Sequence, residues 1–249
     1  EISECLVGSE MCIRDRQTCL QKAVDEELIP TNPCKKVQLP KDEPKEMQTL
    51  KANELAAFLQ ETKDSGCYEF YLLEITTGLR LGEILALTWD DLDMKNKTIS
   101  INKQVQRIKS ELKATTPKTT ASIRKISICD ECLNQLIILR SRQRLNTKLI
   151  FPSPITNGYR DPSSITRKLH RMQKRAGVPQ IRFHDLRHSF ATLSLEQGMD
   201  IKTISHMLGH TDAGFTMNTY MHVTDTMQQT VANAMGCLLY TSPSPRDTR

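Results

Sequence analysis

The sequence predicts an α+β protein, mostly helical, with one small antiparallel β-sheet. Three observations lead there. Apolar residues recur at helical spacing in one segment after another, bracketed by residues that start and stop helices. The period changes to two at Ile99 and Ile101 and again at Ile126 and Ile128, as strands require. Between those two places lies a polar stretch, Lys113 to Thr120, broken by Pro117 and suited to a hairpin turn.

The elements follow in order. Residues 17–29 read as a helix with Leu20, Ala23, Val24 and Leu28 on its apolar side, and Pro30 and Pro33 stop it. Residues 34–49, with Lys35, Lys36, Lys41, Lys45, Pro40 and Pro44, form a polar linker and a domain boundary. One helix before it is too little to make a domain, so residues 50–236 are expected to hold the main one. Leu55, Phe58 and Leu59 mark a helix near residues 52–62; Tyr68, Tyr71, Leu72 and Ile75 mark the next, ended by Gly78. A short helix runs from Leu81 to Leu87. After the strands, Asp130 can cap a helix reaching about residue 145 through Leu133, Leu136, Ile137 and Arg140. Asp161-Pro162 opens another, a cap residue followed by proline at the first helical position. It carries Ile165, Leu169 and Met172 inside and stops at Gly177. Leu186, Phe190 and Leu193 define the next, closed by Gly198; Asp200 caps Ile201 to Leu208, closed by Gly209. Two short helices end the chain, the last opening near Thr224.

Residues 1–16 and 237–249 show no periodicity, and Ser-Pro-Ser-Pro breaks any structure in the second. Both resemble translated sequencing-adapter sequence. They are expected to be non-native flanks, with the native chain longer at both ends.

Composition bounds the function. With 249 residues, 38% hydrophobic and 25% charged, the chain suits a soluble globular protein. No apolar run approaches the roughly 18–20 residues of a membrane span. The 34 Lys and Arg against 29 Asp and Glu give a net charge of +5, which permits a nucleic-acid partner without demanding one. Eight cysteines are scattered through a chain too long to need disulfide staples, so reduced thiols in a cytosol are expected. Cys129 and Cys132 form a single Cys-x-x-Cys, and a structural zinc site needs a second ligand pair.

All six histidines fall between His170 and His222. His184/His188 and His206/His210 are each spaced for one helix face, a metal-ligand pattern. Arg187 on the first face argues against a metal ion there, since the two cations repel, and Gly209 breaks the helix before His210. An anion site fits better. His184 and Arg187 share a face, and an arginine fork matches two phosphate oxygens without ever losing its proton. Arg80, between a helix end and a helix start, is a second such group. Taken singly, each arginine fits structural carbonyl capping better than an anion site.

Four motifs now stand in one order. Thr77-Gly78-Leu79-Arg80-Leu81-Gly82-Glu83-Ile84-Leu85-Ala86-Leu87 resembles the first arginine motif of tyrosine recombinases. His184-Asp185-Leu186-Arg187-His188-Ser189-Phe190-Ala191-Thr192 resembles their His-x-x-Arg motif, Leu208-Gly209-His210 the next, and Asn218-Thr219-Tyr220 the nucleophile motif. The resemblance covers about residues 17–236 and is nearest to integrases of phages and conjugative transposons.

The resemblance implies a catalytic domain at 50–236 preceded by a remnant helix, 17–33, of a core-binding domain. It implies site-specific recombination of a mobile element. Tyr220 would attack a DNA phosphorus and form a 3′-phosphotyrosyl link, leaving a free 5′-hydroxyl. Arg80 and Arg187 would clamp the non-bridging oxygens, and His210 would donate a further hydrogen bond. His184 would act in proton transfer near the Tyr220 hydroxyl, whose ordinary pKa of about 10 makes it a poor nucleophile unaided. A hairpin lysine would protonate the leaving 5′-oxygen; Thr116-Pro117-Lys118-Thr119 before Arg124-Lys125-Ile126 points to Lys118, with Lys113 and Lys125 as alternatives. Glu83 would buttress Arg80. No metal and no cofactor is implied. The partners would be double-stranded DNA and, at full length, three further copies making a tetramer on two duplexes, in bacterial cytoplasm.

One feature supports DNA binding apart from the resemblance. Arg167, Lys168, Arg171, Lys174 and Arg175 line one side of the helix opened by Pro162, opposite Ile165, Leu169, Met172 and Ala176. A basic stripe opposite an apolar one suits a helix docked on phosphates, and equally a solvated face. Two other readings remain: a helix-turn-helix regulator using Ile201–Leu208, which leaves Arg80, Arg187, His210 and Tyr220 unexplained, and a topoisomerase of the related tyrosine type.

Overall fold

The computed structural model describes residues 15–36, 48–117, 122–143 and 147–209. The chain divides into two compact units after Glu46. The first contains helix α1 over residues 15–25, which takes in Asp15 and Arg16, and a 3₁₀ turn at Pro33–Lys36. The helix gives way near Glu27, which adopts a positive φ of 59°. Asn32 folds the following turn back onto it, donating to the Gln17 carbonyl at 2.9 Å.

The second unit begins with α2 (Ala52–Asp64), whose first turn is tied down by Glu54 accepting from the Lys51 backbone N–H at 2.8 Å. Helix α3 (Tyr68–Thr77) buries Phe70, Tyr71, Leu72, Leu73, Glu74 and Thr77, so it runs through the core with almost no wet side. It ends at Gly78 in the left-handed conformation. Two residues later α4 (Leu81–Ala86) starts. Edge-to-face rings knit the core: Phe58 to Tyr71 at 5.2 Å and Phe70 to Phe151 at 5.1 Å.

Strands β1 (Leu92–Asp93), β2 (Thr98–Ile101), β3 (Gln104–Ile108), β4 (Glu111–Thr115) and β5 (Arg124–Ser127) follow. They form two antiparallel sheets where the sequence suggested one: a three-stranded sheet in the order β1-β2-β5, and a β3-β4 hairpin. Ile99 pairs with Ile126 and Ile101 with Arg124. The expected turn at 113–120 lies elsewhere in the part that is described. Ile108 pairs with Glu111, and Lys109 and Ser110 at the tip have φ of 45° and 73°. That is the two-residue turn whose twist matches a hairpin, made here without glycine. Lys113 therefore sits within a strand. The hairpin lies close against α4 because Gly82 has no side chain; a Cβ there would meet the Val105 carbonyl oxygen at 2.9 Å.

Helix α5 (Asp130–Arg142) has Cys129 at its cap position. Asp130 is the first helical residue and pairs with Lys97 at 2.5 Å instead of capping. Helix α6 (Pro162–Ala176) starts as the sequence suggested, with Asp161 accepting from the Ser163 N–H at 2.9 Å and Gly177 left-handed at its end. Helix α7 (Phe183–Glu196) and α8 (Ile201–Leu208) complete the described part. Asp200 caps α8 by accepting from the Thr203 N–H at 2.9 Å. Phe190, Ala191 and Leu195 of α7 form a small core of their own with Ile204 and Leu208 of α8. The two expected helices beyond Gly209, and the two presumed flanks apart from Asp15 and Arg16, lie outside the described residues.

Candidate active site

The site grows from three chain junctions. At the first, α3 ends and α4 begins within a few residues, leaving Arg80 at the cap position of α4 and Glu83 in its first turn. Glu83 accepts from the Arg80 backbone N–H at 3.0 Å and from Arg80 Nη1 at 3.0 Å. Glu83 is buried, whereas the Arg80 side chain keeps 35% exposure. A carboxylate so placed fixes the guanidinium without covering it.

The second junction is the start of α7. Asp185 closes that end by accepting from the Arg182 N–H at 2.9 Å and from the Arg182 guanidinium at 3.0 Å. One turn inside, Arg187 is almost wholly buried. Its Nη1 donates to the Gly78 carbonyl at 2.7 Å and its Nη2 to the Leu208 carbonyl at 2.6 Å. Burial, and then the charge of nearby Arg80, pull its pKa down to about 10, so it remains a cation at neutral pH. His184 is exposed in the first turn, and its ring packs edge-on against His188 at 4.8 Å. Partial desolvation of the ring where it packs against the protein, and then the Arg187 charge, hold the His184 imidazole below its ordinary pKa. An imidazole that is neutral near pH 7 can accept a proton, which a cation cannot.

The third junction is the end of α8. Gly78 and Leu208 carbonyls hold Arg187; the Gly209 carbonyl accepts from Arg80 Nη2 at 3.3 Å, and the Met207 carbonyl from Arg124 Nε at 2.7 Å. Arg124 was not among the expected site residues. It stands at the start of β5, with a side-chain exposure of 1%, and donates to both Glu83 oxygens at 3.0 and 3.1 Å. Burial works to raise the Glu83 pKa, and the Arg124 hydrogen bonds and charge, then Arg80, overcome it and leave it below the ordinary carboxylate value. The signal for Arg124 in the sequence was slight: one more basic residue in a basic hairpin.

The fold thus brings Arg80, Glu83, His184 and Arg187 to one place. Lys118, His210 and Tyr220 lie outside the described residues, although His210 directly follows Gly209 in the chain. The alternative lysines sit on the surface, Lys113 paired with Glu111 at 2.8 Å and Lys125 with Asp93 at 3.6 Å. The basic stripe of α6 divides. Lys168 donates to the Ser65 carbonyl at 3.1 Å and Arg175 lies 3.5 Å from Glu61, so both turn toward α2. Arg167 and Arg171, with Ser164 and His170, line an open cleft of about 450 Å³.

Among the described residues no group of three or more His, Cys, Asp or Glu side chains is placed to hold a metal ion. No described helix is long and apolar enough to cross a membrane. Cys129 is exposed and Cys132 buried, both as free thiols; burial pushes the Cys132 thiol up to about 12, which makes it inert.

The chain is similar to known proteins over most of its length. The phage integrase family pattern matches residues 48–227. A XerC-like tyrosine recombinase of Caldanaerobacter subterraneus is 32% identical over 234 residues, 83% of this chain and 60% of the relative. The ICEBs1 integrase of Bacillus subtilis is 32% identical over 245 residues, 93% of this chain and 67% of the relative. This chain therefore spans about three fifths to two thirds of the length of these relatives. Among solved structures, the Tn1549 transposon integrase in complex with transposon right end DNA superposes with a TM-score of 0.75. Its sequence identity is 20%, covering 88% of this chain and 78% of that one. A lambda integrase tetramer bound to a Holliday junction gives 0.60 at 20% identity, over 83% and 59%. These likenesses extend to the fold of a mostly helical catalytic domain with small antiparallel sheets. With the matched pattern covering well over half of it, the chain belongs to the phage integrase family of tyrosine recombinases.

Proposed function

We propose that this chain carries the cutting and rejoining centre of an enzyme that integrates and excises a mobile DNA element, acting through a covalent 3′-phosphotyrosyl intermediate. The observation that carries the reading is the meeting of Arg80 and Arg187 on the successive carbonyls of Gly209 and Leu208, beside His184 and immediately before His210. Two fixed cations and a neutral imidazole at one point form a site for a phosphodiester approaching its pentacovalent transition state.

In this reading the Tyr220 oxygen attacks the phosphorus, and His184 receives or relays the phenolic proton. The bond from phosphorus to the 5′-oxygen breaks. Lys118 delivers a proton to that oxygen, so it leaves as a hydroxyl. Arg80, Arg187 and His210 hold the non-bridging oxygens as their charge grows. Rejoining is the reverse with a new 5′-hydroxyl, so the ester energy is kept and no nucleoside triphosphate is needed. Glu83 positions Arg80. The lambda integrase complex on a Holliday junction is a tetramer; at full length this protein would act on two DNA duplexes in the same number, in the bacterial cytoplasm.

A duplex nicked next to the cleavage point tests the reading, because the short 5′-fragment diffuses away and traps the adduct. The wild-type chain should become covalently attached to DNA. Tyr220→Phe should abolish attachment while leaving DNA binding nearly intact; attachment that survives this change refutes the nucleophile, and no wild-type attachment refutes the centre.

A further inference from the structure

We infer that Arg124 is a positioning residue of this centre, tying Glu83, and through it Arg80, to the carbonyl end of α8. The inference rests on the reading of the site as a DNA-cleaving one. Three consecutive carbonyls, Met207, Leu208 and Gly209, each receive a guanidinium from a different part of the chain: Arg124 of β5, Arg187 of α7 and Arg80 of the α3–α4 junction. The last turn of a helix leaves its carbonyls without intrahelical donors, and its end carries partial negative charge. Here all three are spent on orienting cations.

Arg124 differs from the other two. Its Nε donates to Met207, its Nη1 to Glu83 Oε1 and the Ser122 carbonyl, both at 3.1 Å, and its Nη2 to Glu83 Oε2. Arg187 is as deeply buried, but in Arg124 four of the five N–H donors are already taken, so little of this guanidinium is left for DNA. It holds other groups instead. Gly209 fits the same account. It has a φ of 66°, and a Cβ on it would meet Arg124 Nη1 at 2.8 Å and Cζ at 3.0 Å, so the backbone lies directly on the guanidinium. The residue before His210 thus lies against Arg124, whose Nε is bound to the Met207 carbonyl.

Arg124→Lys keeps the charge but offers one nitrogen, which cannot span two Glu83 oxygens and the Met207 carbonyl together. Gly209→Ala attacks the same contact from the other side. Amide hydrogen exchange on the free chain reads the tether without any cleavage. In either variant the amides of residues 204–209 should exchange at least about tenfold faster, while those of Tyr68–Thr77 keep their protection. Covalent attachment to the nicked duplex, at saturating DNA, should fall on the order of 10²-fold with affinity unchanged, the scale of an ångström's misplacement. Unchanged exchange in both variants overturns the tether, and so does undiminished attachment by Arg124→Lys where the wild-type chain attaches. A wild-type chain that never attaches refutes the cleavage reading, and the exchange result then decides the tether by itself.

Discussion

Glu83 and Arg124 face each other as a double fork, Nη1 3.1 Å from Oε1 and Nη2 3.0 Å from Oε2, with side-chain exposures of 2% and 1%. Their positions are 41 residues apart in the chain. The same carboxylate also holds Arg80, so one negative charge serves two guanidiniums.

Glu83→Gln should therefore be costly. Removing the acidic partner of a buried pair leaves uncompensated charge, a loss of about 3–5 kcal/mol. Thermal unfolding of the variant at pH 7 should show it. The pH dependence has a definite sign: the folded pKa of Glu83 is depressed, so its contribution is present above the ordinary carboxylate value and is lost as pH falls through the folded one. A wild-type chain and a Glu83→Gln chain should thus converge in stability in strong acid. A gap that persists there would contradict the assignment.

The two histidines of α7 act in a different window. Burial, then the proximity of His184, lower the His188 pKa to about 4, and His184 is lowered too. Between the ordinary histidine value of about 6.5 and pH 4, the unfolded chain binds protons that the folded chain refuses. Stability should fall across that interval, as urea midpoints would report. In His188→Asn the fall should be shallower; an unchanged slope would show that His188 is not its source.

Glu74 is wholly buried in α3, and neither carboxylate oxygen has a hydrogen-bond partner among the described residues. Burial pushes its pKa well above the ordinary value, against the lowering pull of Arg187. A raised pKa gives stability that is complete below the unfolded carboxylate value and declines as pH rises through the folded one. Glu74→Met, apolar and of similar length, should stabilise the chain by about 1–3 kcal/mol at pH 8 and by less at pH 5. Equal effects at both pH values would argue against a buried acid here.

The division of the α6 stripe predicts a division of roles in DNA binding. Arg167→Ala and Arg171→Ala should each lower the slope of log affinity against log salt by about one, as loss of a phosphate contact does. Lys168→Ala and Arg175→Ala, turned toward α2, should change that slope less. Titrations at several salt concentrations separate the pairs; four equal slopes would erase the distinction.

Much of this was legible in the sequence because its signals are local. Asp161 with Pro162, Asp200, Gly177 and Gly209 each announce a helix end by the chemistry of one or two neighbouring residues, and each stands where that chemistry places it. The β3-β4 hairpin was not legible. Its strands show little alternation of buried and exposed positions, and its turn uses Lys109 and Ser110 where glycine or asparagine would have given notice. Arg80, Glu83, His184 and Arg187 could be picked out by their motifs. Arg124 could not, since its role depends on partners 41 and 83 residues away, which no spacing rule reaches. The division of the α6 stripe was not legible for a related reason: helical periodicity fixes a face, and only the neighbouring α2 decides which of its residues find protein partners.

The receiving carbonyls of α8 also set an order of manufacture. Arg80, Arg124 and Arg187 are all synthesised before residues 207–209, and the longest of the three reaches spans 129 positions. A nascent chain emerging from its N-terminus offers these cations Glu83 and the Gly78 carbonyl first, and the carbonyls that bring all three to one helix end arrive only with the last turn of α8. A polypeptide stopped short of Met207 would hold the three arginines without the three carbonyls that receive them.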